Sequence, residues 1–146
     1  MSKTEATVSL VCPSCLSVNR VPKSRLVDAP ICGKCKLALT PGHPIELTDA
    51  NFAKFVSRTG IPIVIDFWAS WCGPCQTMAP AFVAAANQLT PNVMLAKLNT
   101  ELASRSAAGF NISGIPCLIA FRDGKEVARQ SGVMSAEEIV RWARSI

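Results

Sequence analysis

Apolar positions along the chain change rhythm near residue 45. From there Ile45, Glu46 and Leu47 alternate as a short strand does, and Phe52, Phe55 and Val56 recur at the spacing of one helix face, with Thr48 and Asp49 placed to cap it. Ile63, Val64, Ile65, Asp66, Phe67 and Trp68 make a nearly unbroken apolar run, the pattern of a central strand covered on both faces. Residues 73–89 read as a helix that Pro80 should kink, 93–98 as another buried strand and 101–108 as a short helix. Two further strands, 118–121 and 127–129, flank Arg122, Asp123, Gly124 and Lys125, whose Asp-Gly step predicts a hairpin turn. Ser135 and Glu138 stand at capping-box spacing before a last helix that runs to the C-terminus. The order β-α-β-α-β-α-β-β-α predicts an α/β fold, a mixed sheet with helices on its faces.

Residues 1–41 follow neither period. They hold four cysteines and four prolines with only short apolar runs, too little to bury a core of their own, and so need a staple. Thr40, Pro41, Gly42, His43 and Pro44 crowd breakers together as a linker does. The expected division is a small module at 1–41, a linker at 42–44 and an α/β domain at 45–146.

Composition narrows the setting. At 49% hydrophobic and 17% charged, the 146-residue chain is not a disordered one. No apolar run reaches the roughly 18–20 residues that span a bilayer. The first eight residues lack an apolar segment, so no secretory leader is expected and the cytoplasm is the expected compartment. There, paired cysteines signal metal or redox chemistry rather than structural disulfides. The formal charge is +5, and four thiolates on one Zn²⁺ would add −2 and lower it to +3, too little to predict a nucleic-acid partner.

Six of the seven cysteines form three Cys-x-x-Cys pairs. Cys12/Cys15 and Cys32/Cys35 are separated by sixteen residues, the spacing of a four-cysteine zinc site. Each pair makes a knuckle presenting two sulfurs, and two knuckles complete a tetrahedron that leaves no position for water. One structural zinc is therefore expected, with Gly33 supplying the unusual backbone angles of its turn. Binding free energies of about 10–16 kcal/mol for such sites would replace the missing core. Two disulfides, four free thiols, or a different metal such as iron are the alternatives for the same sulfurs. His43 reads as a linker residue rather than a ligand.

Cys72/Cys75 has no partner pair. It follows the buried strand and opens a helix, where unpaired N–H groups and the macrodipole favour a thiolate at Cys72. Pro74 sacrifices no hydrogen bond in the first turn, and Cys75 lies three residues on, within reach of a small disulfide ring.

The segment from Phe67 through Trp68, Ala69, Ser70, Trp71, Cys72, Gly73, Pro74 and Cys75, with Met78, Ala79 and Pro80 after it, resembles the active site of the thioredoxin family. Asp66, Lys97, Gly114, Ile115, Pro116, Gly124 and Gly132 extend the likeness along 45–146. The preceding module resembles the zinc-bearing extension of thioredoxins of the thioredoxin-2 type. The resemblance implies the thioredoxin fold and a protein-disulfide reductase without an organic cofactor. It also implies Cys72 as nucleophile, Cys75 as resolving thiol, Asp66 as a buried acid assisting Cys75, and Lys97 as modulator of that acid. Pro116 becomes the cis-proline beside the site, and Trp71, Gly73, Pro74, Gly114, Ile115, Gly132 and Val133 the substrate rim. Trp68 is expected to pack beneath it.

Implied partners are disulfide-containing proteins and an NADPH-dependent thioredoxin reductase, with no nucleic acid or membrane and a monomeric state. An oxidase or isomerase would use the same chemistry, but Gly73-Pro74 resembles the reducing members. A zinc-ribbon binding module on an inert scaffold is the competing class, against which the intact pair Cys72/Cys75 argues. Cys117 departs from the family pattern, which more often has threonine there. It reads as a buried small hydrophobe or as a secondary thiol open to modification.

Overall fold

A computed structural model describes residues 6–146; the first five residues of the stretch read above for a leader lie outside it. Strands β1 (Thr7–Val11) and β2 (Val18–Pro22) form an antiparallel hairpin with Val8 opposite Val21 and Leu10 opposite Asn19. A 3-10 turn at Lys23–Asp28 follows, and a bridge between Ile31 and Ala38 closes the second knuckle. The two knuckles share one design. Cys12 N–H donates to Ser17 O and Leu16 N–H to Cys12 O, both at 2.9 Å, while Cys32 N–H donates to Leu37 O at 2.8 Å and Lys36 N–H to Cys32 O at 3.0 Å. The left-handed residues are Leu16 (φ 64°) and Lys36 (φ 69°), each just after the second cysteine. This corrects the expectation for Gly33, which keeps an ordinary φ and instead donates its N–H to Asn19 Oδ1 at 2.9 Å.

The apolar side chains of the hairpin do not close on themselves. Val8, Leu10, Val11, Val21 and Leu39 are buried in one cluster with Ile45, Leu47, Phe55 and Ile61 of the larger sheet's layer. Gly60 N–H donates to Ser9 O at 2.7 Å along this seam.

The larger sheet has the order β3-β5-β4-β6-β7, from β3 (Ile45–Leu47), β4 (Ile63–Trp68), β5 (Met94–Asn99), β6 (Cys117–Arg122) and β7 (Lys125–Ser131). β3, β5 and β4 run parallel, and β6 and β7 antiparallel. Strand alternation divides the central strand between two cores. Ile63, Ile65 and Phe67 face a layer with α1 (Phe52–Arg58) and α3 (Ser104–Ala108), where the hairpin also packs. Val64 faces α2 (Gly73–Leu89) and α4 (Ala136–Arg144) through Met78, Phe82, Ala85, Ile139 and Val140. Asp66 shares the parity of Val64 and therefore points toward the α2 side.

Local chemistry explains most boundaries. Asp123 (φ 53°) and Gly124 (φ 79°) both adopt the left-handed conformation that a two-residue hairpin turn requires. The capping box at α4 is complete: Glu138 N–H donates to Ser135 Oγ at 3.1 Å, and Ser135 N–H to Glu138 Oε1 at 2.9 Å. α2 continues through Pro80 to Leu89. Two starts differ from the sequence reading. Thr48 Oγ1 accepts from Ala50 and Asn51 N–H at 3.2 and 3.3 Å, capping a turn ahead of α1, while Asp49 leaves that turn to bind Ser106 N–H and Oγ–H at 2.8 and 2.7 Å. α3 begins at Ser104 rather than 101, because Asn99 Oδ1 collects the Glu101 and Leu102 N–H groups into a separate turn.

Candidate redox site and metal centre

β4 delivers the chain to a loop tied at both ends. Thr100 N–H and Oγ–H both donate to Trp68 O, at 2.8 and 3.1 Å. Ser70 Oγ–H donates to Glu101 Oε1 at 2.9 Å, and Gln76 Nε2 to Ser70 O at 2.7 Å. None of these ties was read from the sequence; short polar residues in turns carry too weak a local signal. Cys72 is the N-cap of α2, its sulfur accepts the Cys75 N–H at 3.2 Å, and Pro74 occupies the first turn. Cys72 and Cys75 are joined in a disulfide with their Cα atoms 5.3 Å apart. Both are buried in this state, with Ala69 and the flanking Trp68 and Ile115. Trp68 thus packs beneath the pair, as expected.

Across the site, Cys72 Sγ lies 3.7 Å from the Ile115 carbonyl oxygen. The Ile115–Pro116 peptide is cis, as is Thr90–Pro91, which the sequence did not flag. Gly132 N–H donates to Pro116 O at 2.9 Å, bringing Gly132 and Val133 to the same end of the sheet. Trp71 is 71% exposed beside the buried sulfurs. Trp71, Gly114 and Ile115 border a groove of about 550 Å³ that continues past Thr100, Ser104, Ala107 and Ile112. Gly73, Pro74, Gly132 and Val133 do not line this groove, so it extends the expected rim on the α3 side only.

Asp66 is 1% exposed, and its Oδ1 has no hydrogen-bond partner. Burial pushes its carboxyl up to about 7, against the opposing pull of Lys97 directly across the β4–β5 register. Cys117 sits on the other face of the sheet, opposite Phe67 on β4, and is 1% exposed. Burial raises its thiol, and the contact with Ser131 only partly offsets this. Both observations match the small-hydrophobe reading rather than the modifiable thiol.

The other four sulfurs converge. Cys12, Cys15, Cys32 and Cys35 present their Sγ atoms within 4.8 Å of one another. Two cross pairs, Cys12–Cys35 and Cys15–Cys32, stand at 3.5 and 3.6 Å. A tetrahedron with Zn–S bonds of about 2.3 Å has sulfur–sulfur edges of about 3.8 Å. Backbone N–H groups aim at the first sulfur of each knuckle: Ser14 and Cys15 at Cys12 (3.4 Å each), Lys34 and Cys35 at Cys32 (3.4 and 3.5 Å). Chiefly through the Cys35 N–H, Cys32 is drawn down to about 6. At Cys35 the Leu37 N–H acts downward, but burial and three neighbouring sulfurs outweigh it and push the thiol up to about 11. Four thiolates this close need a cation among them, and the all-sulfur donor set fits Zn²⁺. His43 stays outside this set, its Nδ1 3.1 Å from Pro44 O.

A dithiol–disulfide pair capping a helix, preceded by a strand that carries a buried acid and joined to a four-cysteine metal knuckle pair, defines a thiol–disulfide exchange protein with a metal-binding module. Residues 43–145 match the family model described as Thioredoxin, and residues 11–36 match a zinc-ribbon model described as Thioredoxin 2, N-terminal. Thioredoxin C-3 of Corynebacterium nephridii is 46% identical over 133 residues, covering 91% of each chain. A thioredoxin of Mycobacterium tuberculosis is 37% identical over 97 residues (66% of this chain, 84% of its own), and one of Rhodospirillum rubrum is 33% identical over 100 residues (68% and 96%). The chain belongs to the thioredoxin family. It is an oxidoreductase acting on protein disulfides through Cys72 and Cys75, and its fold is the mixed-sheet thioredoxin fold preceded by a zinc-ribbon-like module. No helix among the described residues is long and apolar enough to cross a membrane.

Proposed function

We propose that Cys72 is the attacking thiolate and Cys75 the resolving thiol of a general protein-disulfide reductase. The observation that carries this is Cys72 at the N-terminus of the seventeen-residue α2, joined to Cys75 and next in sequence to Trp71, which borders the groove. The helix end stabilises negative charge on Cys72 sulfur. That thiolate attacks one sulfur of a substrate disulfide; a Cys72–substrate bond forms and the other substrate sulfur leaves as thiolate. Asp66, ionised to about half near pH 7, takes the proton from Cys75. Cys75 sulfur then attacks Cys72 sulfur, the mixed disulfide breaks, and the substrate departs with two electrons gained. Asp66 and the buried side of α2 share one sheet face, which supports this pairing.

Lys97 tunes Asp66. Pro116 turns the Ile115 backbone toward an extended substrate segment, which pairs with main chain rather than with particular side chains. Trp71, Gly73, Pro74, Gly114, Ile115, Gly132 and Val133 form the rim; a Cβ at Gly73, Gly114 or Gly132 would meet nothing within 4 Å, so this surface is open. One zinc per chain, held by Cys12, Cys15, Cys32 and Cys35, is structural, since four sulfurs fill its shell. The chain divides into the module at 1–41, linker at 42–44 and redox domain at 45–146. It works as a cytoplasmic monomer, recycled by an NADPH-dependent thioredoxin reductase.

Insulin disulfide reduction tests the assignment. Cys72→Ser should reduce the rate to that of the uncatalysed reductant; a rate equal to wild type would reject the reading.

A further inference from the structure

Lys97 stands opposite Asp66 in the β4–β5 register, yet it makes no ion pair with that carboxylate among the described residues. Its ammonium instead lies 4.7 Å from the centroid of the Trp68 ring. Trp68 is two residues beyond Asp66 on β4, so both side chains project from the same face of the strand. Between Glu46 on β3 and Asp66 on β4, the lysine has three partners within reach of one flexible stem, two carboxylates and an indole face, and it pairs with neither carboxylate among the described residues. An indole attracts an ammonium through its negative π face, and more so where water is excluded. The Asp66 carboxylate meanwhile keeps a buried Oδ1 without any hydrogen bond.

We propose that Trp68 is a positioning residue, whose ring holds the Lys97 ammonium away from Asp66 and so preserves that carboxyl as a proton acceptor for Cys75. The inference rests on the acid–base reading of Asp66 given above. A directly paired lysine would make Asp66 a permanently ionised, weak base. A lysine held over the indole still acts on it at a distance, and the carboxyl stands at about 7 under the combined effect of burial and that weakened pull.

The surroundings of Asp66 leave few competing charges. β4 carries no other ionisable group, Lys97 is the one charged residue of β5, and β3 contributes Glu46, exposed and opposite Lys97 on the side away from Asp66. α2 contains no acidic or basic residue, so its contribution is Cys72 and Cys75, locked in the disulfide in the oxidised state. β6 supplies Cys117, on the opposite face, and Arg122 at its far end. The charged residues of α4, which shares the α2 layer, are all exposed.

The test is a carbon NMR titration of the Asp66 carboxyl in oxidised, zinc-loaded protein, for wild type, Trp68→Leu, Lys97→Met and the double variant. Trp68→Leu should lower the midpoint by about one pH unit, the low end of the effect of an adjacent opposite charge. Lys97→Met should raise it, and the double variant should titrate with Lys97→Met alone. A Trp68→Leu midpoint that is unchanged, raised, or lowered equally with and without Lys97 would overturn the proposal. Should Trp68→Leu not fold, the wild-type Lys97 ε-methylene protons decide: the ring should shift them upfield, and an unshifted signal overturns the proposal as well. Asp66→Asn separates the two readings, because an unchanged insulin reduction rate there rejects Asp66 as the base while leaving the titration result intact.

Discussion

A carboxyl held at about 7 inside a sheet layer has a cost that depends on pH. In the unfolded chain Asp66 ionises near the ordinary aspartate value of about 3.9. Between that value and 7 the native state keeps a proton that the unfolded state releases. Stability therefore falls as pH rises through this window, and the full penalty applies above it. Three pH units correspond to at most about 4 kcal/mol. Asp66→Ala should stabilise the protein by up to that amount at pH 8 and hardly at all at pH 4, as measured by urea unfolding. An equal gain at both pH values would exclude ionisation as the cause. The sequence exposed this residue because a lone acid interrupts an apolar strand. Its unpaired oxygen and the diversion of Lys97 to Trp68 were not legible, since both depend on which way one flexible side chain turns.

Among the elements, the hairpin and the larger domain approach closely at Gly60. A Cβ there would come within 2.6 Å of Val8 Cγ2 and 3.2 Å of the Ser9 carbonyl oxygen. Gly60 also donates its N–H to that oxygen, so the backbone cannot withdraw without losing the bond. Gly60→Ala should cost about 1–3 kcal/mol of stability, the usual penalty of overpacking, in urea unfolding of zinc-loaded protein. Stability unchanged within error would mean that β1 does not bear on the loop after α1 as the contact implies. No sequence pattern announced this seam. Gly60 looks like a helix-ending glycine, and the apolar runs at Val8 and Leu10 do not say what covers them. Strands β4 and β6, helix α2 and the Asp123-Gly124 turn were legible because period, helix entry and turn chemistry each carry a local signal. The starts of α1 and α3 slipped by a few residues because Asp49 and Asn99 spend their side chains on tertiary or turn bonds. The groove lined by Ser104, Ala107 and Ile112 was invisible for a similar reason: it exists only once α3 stands beside Ile115.

At the scale of the whole molecule, three identical spacings have been given two kinds of environment. The knuckle pairs sit in reverse turns whose N–H groups converge on sulfur, and their four thiols meet at one point inside a layer continuous with the main core. The third pair begins a helix just beyond the end of the central strand β4, beside an exposed tryptophan and an open groove. Geometry therefore commits four cysteines to metal, reserves two for exchange and buries the seventh. Thiol alkylation of the reduced, native, zinc-loaded protein, read by peptide mass mapping, tests that partition directly. Cys72 should label first, while Cys12, Cys15, Cys32, Cys35 and Cys117 stay unmodified until denaturant and chelator are added, when all seven label and one zinc per chain is released. Labelling of the knuckle cysteines or Cys117 as fast as Cys72 in the native protein would contradict it.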